Sequence, residues 1–163
     1  PRRAETALED LADLFRVLMR DTRDLSTLGD EIALCKQYLA IEQLRLGDRL
    51  QVQWDIGDLS PTLLSNAKMP SLLLQPLIEN AIHYGVEPSP NPTPIQIKIA
   101  KTLDKIEIRV VNHYHRHASL PSGNQMALDN IRQRLSLLYD IEAQLTAEIK
   151  GEQFEVDLVF PEK

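Results

Sequence analysis

At residue 48 the apolar residues change their spacing, and that change constrains the fold more than any other feature of the chain. Before it the spacing is helical. Ala4, Ala7, Leu8, Leu11, Leu14, Phe15 and Leu18 recur at three- and four-residue steps, with Glu5, Glu9, Asp10, Asp13 and Arg16 opposite them. Ser26 or Thr27 then offers an N-cap, with Asp30 and Glu31 in the first turn of a second helix. That helix runs to about Leu46, carries Ile32, Cys35, Leu39 and Glu42 on one stripe, and closes at Gly47-Asp48. The two helices read as a hairpin or a dimerisation stalk. After residue 48 the period falls to two. LQVQWDI, IQIKIAKT, KIEIRVVN, AQLTAEIK and QFEVDLVF alternate as half-buried strands do.

Between these strands lie a turn-rich connector (SPTLLSNAKMP), a third helix over residues 70–86 with Pro70 at its start, and a proline loop at 88–94. A tight turn at Leu103-Asp104 joins two strands. The segment HYHRHASLPSGN is long enough to be a functional loop. A fourth helix follows, with Leu128, Ile131, Leu135 and Leu138 on its buried stripe, and then a hairpin around Gly151-Glu152. The expected fold is α+β, a two-layer α/β sandwich of antiparallel strand pairs with the third and fourth helices on one face. Residues 1–48 form the helical remnant and 49–163 the sandwich domain.

The bulk properties exclude some functions. The chain has 163 residues and a net charge of −6, with no basic footprint for a nucleic acid. One cysteine, Cys35, permits no internal disulfide. No apolar run approaches the ~18 residues of a membrane helix. The abrupt helical start reads as a piece of a longer protein.

The stretch PSLLLQPLIENAIHYG carries the chemistry. At about 100° per residue, Leu73, Leu74, Leu77, Ile78, Ala81 and Ile82 cover one broad arc, and Glu79, Asn80 and His83 fall on a narrow edge. Spacing alone fits a solvated edge. It also fits a ligand edge, because an amide oxygen beside a carboxylate suits Mg²⁺, which keeps several waters and takes few protein oxygens. A metal there could bridge phosphates, and the carboxylate could orient or deprotonate an attacking group.

This stretch resembles the N box of sensor histidine kinases of the LytS/AlgZ type, and the AlgZ branch in the wording GNQMALDNIRQRL. KQYLAIEQLRLGDRLQVQWDI resembles the stretch that precedes the ATPase domain in that family, and NQMALDNIRQRLSLLYD the segment after its ATP lid. The resemblance implies a GHKL-type ATP-binding domain whose Asn80 coordinates the Mg²⁺ of Mg·ATP, with Glu79 as base or polar partner. His83 and Tyr84 stand where the family has a basic pair, and Asn112 where it has the adenine-binding Asp. Gly123, Met126, Ala127 and Leu128 stand in its second glycine box, of which one glycine remains. The resemblance further implies a homodimer, a response-regulator partner and the cytoplasmic portion of an inner-membrane protein. The phosphoacceptor histidine would lie outside this chain, since none of His83, His113, His115 and His117 matches its motif. The altered boxes leave a second reading open, a degenerate kinase module serving dimerisation or partner binding. His113, His115 and His117 alternate and could also hold Zn²⁺ or Cu²⁺. Arg132 and Arg134 could meet phosphate or a partner, or be an exposed face. Glu42 and Arg45 are a candidate surface pair.

Overall fold

The computed structural model describes residues 3–9, 11, 25–57, 59–115 and 122–162, with 122–125 by their backbone alone. Residues 3–9 and 11 are helical, as the first apolar stripe predicts; Leu14, Phe15 and Leu18 lie outside the described residues. From Leu25 the order is β1 (Leu25–Thr27), α1 (Leu28–Leu46), β2 (Leu50–Asp55), α2 (Pro61–Asn66), β3 (Lys68–Pro70) and α3 (Leu74–Ala81). A π-helical turn (Ile82–Val86) follows, then β4 (Thr93–Thr102), β5 (Lys105–His113), α4 (Ser122–Tyr139), β6 (Gln144–Lys150) and β7 (Gln153–Pro161).

Local chemistry accounts for the boundaries of α1. The Thr27 hydroxyl accepts from the Asp30 N–H at 3.1 Å, Asp30 and Glu31 sit in the first turn, and Arg45 in the last. Gly47 ends the helix at φ 59°, in the left-handed region that costs glycine little. Leu28, Ile32, Cys35, Leu39 and Leu46 are buried in the same cluster as the sheet, so α1 packs as part of the sandwich layer.

The five-stranded sheet has the order β2-β4-β5-β7-β6. Ile95, Ile97 and Ile99 on β4 and Ile106, Ile108 and Val110 on β5 alternate inward, against Leu77, Ile78 and Ala81 of α3 and Leu128, Ile131 and Leu135 of α4. The register matches these faces, with Ile97 opposite Val110, Ile108 opposite Leu158 and Leu145 opposite Leu158 on the far side. The other face is polar; Arg109 there lies 2.9 Å from Glu107, 3.1 Å from Glu155 and 3.4 Å from Asp157.

Five expectations are corrected. β2 pairs with β4 in parallel, Val52 opposite Ile95, so the sheet is mixed. A parallel pair needs a long crossover, and residues 56–92 supply it. Within that crossover the supposed connector folds into α2, capped by Ser60, and β3, which pairs with β1. Pro70 therefore ends a strand, and α3 starts at Leu74. Pro94 belongs to β4, at its first turn of pleat where β5 has not yet paired, which a proline tolerates. On α4 the last buried position is Tyr139, whose ring lies 6.0 Å from Phe160, while Leu138 is 45 % exposed.

Candidate functional site

The candidate edge is built on α3 and the π turn that continues it. Leu74, Leu77, Ile78 and Ala81 fasten α3 to the core, which leaves Glu79 and His83 exposed and Asn80 and Tyr84 half-buried. Gln75, one turn before Glu79, is buried, and its amide donates to the Glu79 carboxylate at 3.0 Å. Its other amide atom, Oε1, is buried and finds no hydrogen-bond partner among the described residues. Glu79 looks across toward α1. Burial, the Glu31 charge and then the Glu79 charge push the Cys35 thiol well above its usual range. Burial, Glu42 and Glu79 likewise push up the Tyr38 phenol.

The π turn sets the far end of the edge. It brings Gly85 against β5 so closely that a Cβ on Gly85 would stand 2.8 Å from the Asn112 Cβ and 2.9 Å from its Nδ2. No side chain larger than hydrogen fits there without displacing Asn112. Asn112 is 5 % exposed, and its amide donates to the His113 carbonyl at 2.8 Å. The Gly85 carbonyl lies 2.9 Å from His115 Nε2, so β5, the turn and the root of the following loop meet at one glycine.

His83 stacks edge-on against Tyr84, with centroids 4.6 Å apart, and its Nδ1 is 2.9 Å from Glu87. Glu87 also accepts from Arg45 at 2.6 Å, and Arg45 from there reaches Glu42 at 3.1 Å. The anticipated Glu42–Arg45 pair is thus part of a longer exposed chain that runs from α1 to the site edge. Burial would raise the Glu87 carboxyl, but hydrogen bonds from Arg45 and His83 outweigh it and hold the group below its usual range.

Asn80 lies on α3, His83 and Tyr84 touch each other on the turn that continues it, and Asn112 lies on β5 against Gly85 of that turn. Gly123 lies in the first turn of α4; further along that helix Met126 is exposed, Ala127 half-buried and Leu128 buried in the core. His113 and His115 meet edge-to-face at 4.6 Å, whereas His117 lies outside the described residues. No group of three metal-ligating side chains occurs among the described residues. Arg132 donates to Asp129 and to the Leu145 carbonyl, while Arg134 reaches the backbone at residues 71 and 72. Sequence reasoning assigned no role to Gly85, Gln75 or Glu87. The four-residue steps from Gln75 to Glu79 and from His83 to Glu87 are the signal that could have found two of them.

A sandwich with one open polar face, two helices on the other and a polar-edged helix beside the middle strand is the histidine-kinase catalytic fold. The Acinetobacter baumannii histidine kinase AdeS matches it with a TM-score of 0.62 at 12 % identity, over 96 % of this chain and 77 % of that one. The catalytic domain of the histidine kinase ThkA matches with a TM-score of 0.61 at 11 % identity, over 85 % and 95 %. In sequence the chain is 32 % identical to the sensor histidine kinase YpdA of Escherichia coli over 77 % of its length, and 32 % identical to YesM of Bacillus subtilis over 81 %. The sensor protein LytS of Oceanobacillus iheyensis is 26 % identical over 98 % of the chain. A family model described as histidine kinase matches residues 1–50. This chain belongs to the LytS-type sensor histidine kinases. It spans 23 % of YpdA and of YesM and 29 % of that LytS. No helix among the described residues is long and apolar enough to cross a membrane.

Proposed function

We propose that this chain is the nucleotide-binding catalytic region of a sensor histidine kinase, which binds Mg·ATP and passes its γ-phosphate to a histidine outside the chain. The observation that carries the reading is the polar edge of α3 held against β5 by the Gly85–Asn112 contact. It places an amide, a carboxylate, an imidazole and a phenol along one helix, beside a strand that ends in a buried amide.

The donor set fits Mg²⁺. A half-buried amide oxygen at Asn80, next to an exposed carboxylate, leaves room for the waters that the ion retains. Bound there through Asn80, the ion would neutralise phosphate charge. Glu79, steadied by Gln75, is the group available to orient the acceptor or take its proton. His83 and Tyr84 border the phosphates, and Asn112 faces the adenine end as an uncharged acceptor. The backbone N–H groups of the first turn of α4 at Gly123, with Met126, Ala127 and Leu128 behind them, supply a favourable dipole for the triphosphate. The parent protein would be a homodimer at the inner membrane, with this region in the cytoplasm and a response regulator as the phosphate's next acceptor.

A second reading is favoured by Asn112, whose amide is buried and already donates within its own strand. On that reading the module retains the fold for dimerisation or partner binding and uses nucleotide weakly or not at all. Calorimetry of Mg·ATP and Mg·ADP beside Asn80→Ala separates them. Magnesium-dependent binding that Asn80→Ala abolishes supports the kinase reading, and no heat at millimolar nucleotide supports the second.

A further inference from the structure

The start of α3 lacks a cap of its own. Leu73 occupies the N-cap position and makes no side-chain capping bond, whereas most helices satisfy their first N–H groups locally. The bond comes instead from another helix. Glu31 of α1, 3 % exposed, accepts from the Leu73 N–H at 3.1 Å, and the neighbouring Leu72 N–H and Ser26 side chain also favour its charged form. The same turn is gripped from its other side by α4, because Arg134 donates to the Leu72 carbonyl at 3.1 Å and to the Ser71 carbonyl. Between the two grips Leu72 adopts φ 57°, a conformation unusual for a side chain of its type. Such backbone persists where its surroundings over-determine it. Here a buried carboxylate holds the next N–H, that of Leu73, and a guanidinium holds the carbonyls of Ser71 and Leu72.

We propose that Glu31 and Arg134 are positioning residues for the nucleotide site, acting through the 71–73 turn to fix the axial position of α3 and so of Glu79 and Asn80. This rests on the reading of α3 as the nucleotide helix, but its structural half does not. A carboxylate at the N-terminus also complements the helix dipole. Because the clamp comes from α1 and α4 rather than from the turn itself, α3 can hold its place only while both neighbours hold theirs. Neither clamp residue lies on the polar edge.

The test compares Glu31→Gln with Ile106→Ala, a core variant at the hairpin end of β5 that is matched for loss of thermal stability. Amide hydrogen exchange is followed in α3 and in β5, and Mg·ADP affinity by calorimetry. In Glu31→Gln, protection over Leu74–Ala81 is expected to fall about tenfold with β5 unchanged. Mg·ADP is expected to weaken about tenfold, as when a supporting residue of a metal site is lost. Ile106→Ala should do neither. Arg134→Lys keeps the charge but loses the two-carbonyl fork, and should repeat the local pattern if Glu31→Gln does not fold. Equal loss of protection in α3 and β5, or none in either, overturns the clamp. Wild-type protein that ignores Mg·ADP while Glu31→Gln still loosens α3 alone overturns the nucleotide reading and leaves the clamp standing.

Discussion

The two ends of α3 are held by opposite means. At its start, Glu31 and Arg134 grip the backbone from inside the protein, through hydrogen bonds to main-chain atoms. At its end, His83 meets Glu87, which pairs with Arg45 and so with Glu42, in a chain where His83 and Arg45 are more than half exposed. Buried polar groups are costly to leave unpaired; exposed pairs contribute little and yield to salt. The start of the helix is therefore fixed, and the end can be adjusted by solvent conditions. Between them Gly85 fixes the turn sterically rather than electrostatically.

The largest effect should come from breaking the inner grip. Glu31→Ala leaves the buried Leu73 N–H without its acceptor and removes the carboxylate charge that faces Arg134, and should cost about 3 kcal/mol, read as a fall in Tm of roughly 9 °C. Gly85→Ala comes next. Its new methyl group meets the Asn112 side chain, and an overpacking cost of about 2 kcal/mol is expected in urea denaturation. If Gly85→Ala matches wild type, the turn has room that its geometry denies.

A pH profile sharpens the contrast further. Burial raises the Glu31 carboxyl above 4.5, opposed by its bonds to Leu73, Leu72 and Ser26 and by Arg134. A carboxyl with a raised folded value binds more protons folded than unfolded. Its contribution is present below the unfolded value and lost as pH rises through the folded one. Wild-type stability should therefore decline over that window, and Glu31→Gln should flatten the decline. Glu87 has the opposite sign, because its folded value is lowered. Its contribution is present above the unfolded value and disappears as pH falls through the folded one. The smallest effect is Arg45→Ala at the exposed end, at about 0.5 kcal/mol in low salt and nothing measurable at high salt. A larger or salt-independent loss would mean that the outer chain of charges is a second clamp.

Much of this was legible from spacing. The alternation of Ile95, Ile97 and Ile99 and of Ile106, Ile108 and Val110 marks the middle strands, and Thr27 followed by Asp30 and Glu31 marks the start of α1. The polar edge of α3 follows from its period alone. What could not be read depends on partners distant in sequence. β2 looks the same whether it pairs in parallel or not, and three-residue strands such as β1 and β3 are too short to show a period. Glu31 reads as a first-turn acid on its own helix, but its carboxylate serves a turn 42 residues away. Leu138 and Tyr139 both fit a step from Leu135, and only the neighbouring Phe160 selects the ring. The π turn widens the helix by a residue, which no apolar pattern announces.

The parallel pairing of β2 with β4 also has a consequence in time. β4 and β5, and β6 and β7, are hairpins that can close as soon as their second strand exists. β2 is flanked in the finished sheet by β4 alone, which lies beyond α2, β3 and α3 in the chain. On a ribosome adding about 5–20 residues per second, the first strand of the sheet waits some seconds for its neighbour. β2 thus waits longer for its neighbour than any strand of the two hairpins, and α1 must hold its apolar stripe out of trouble until then.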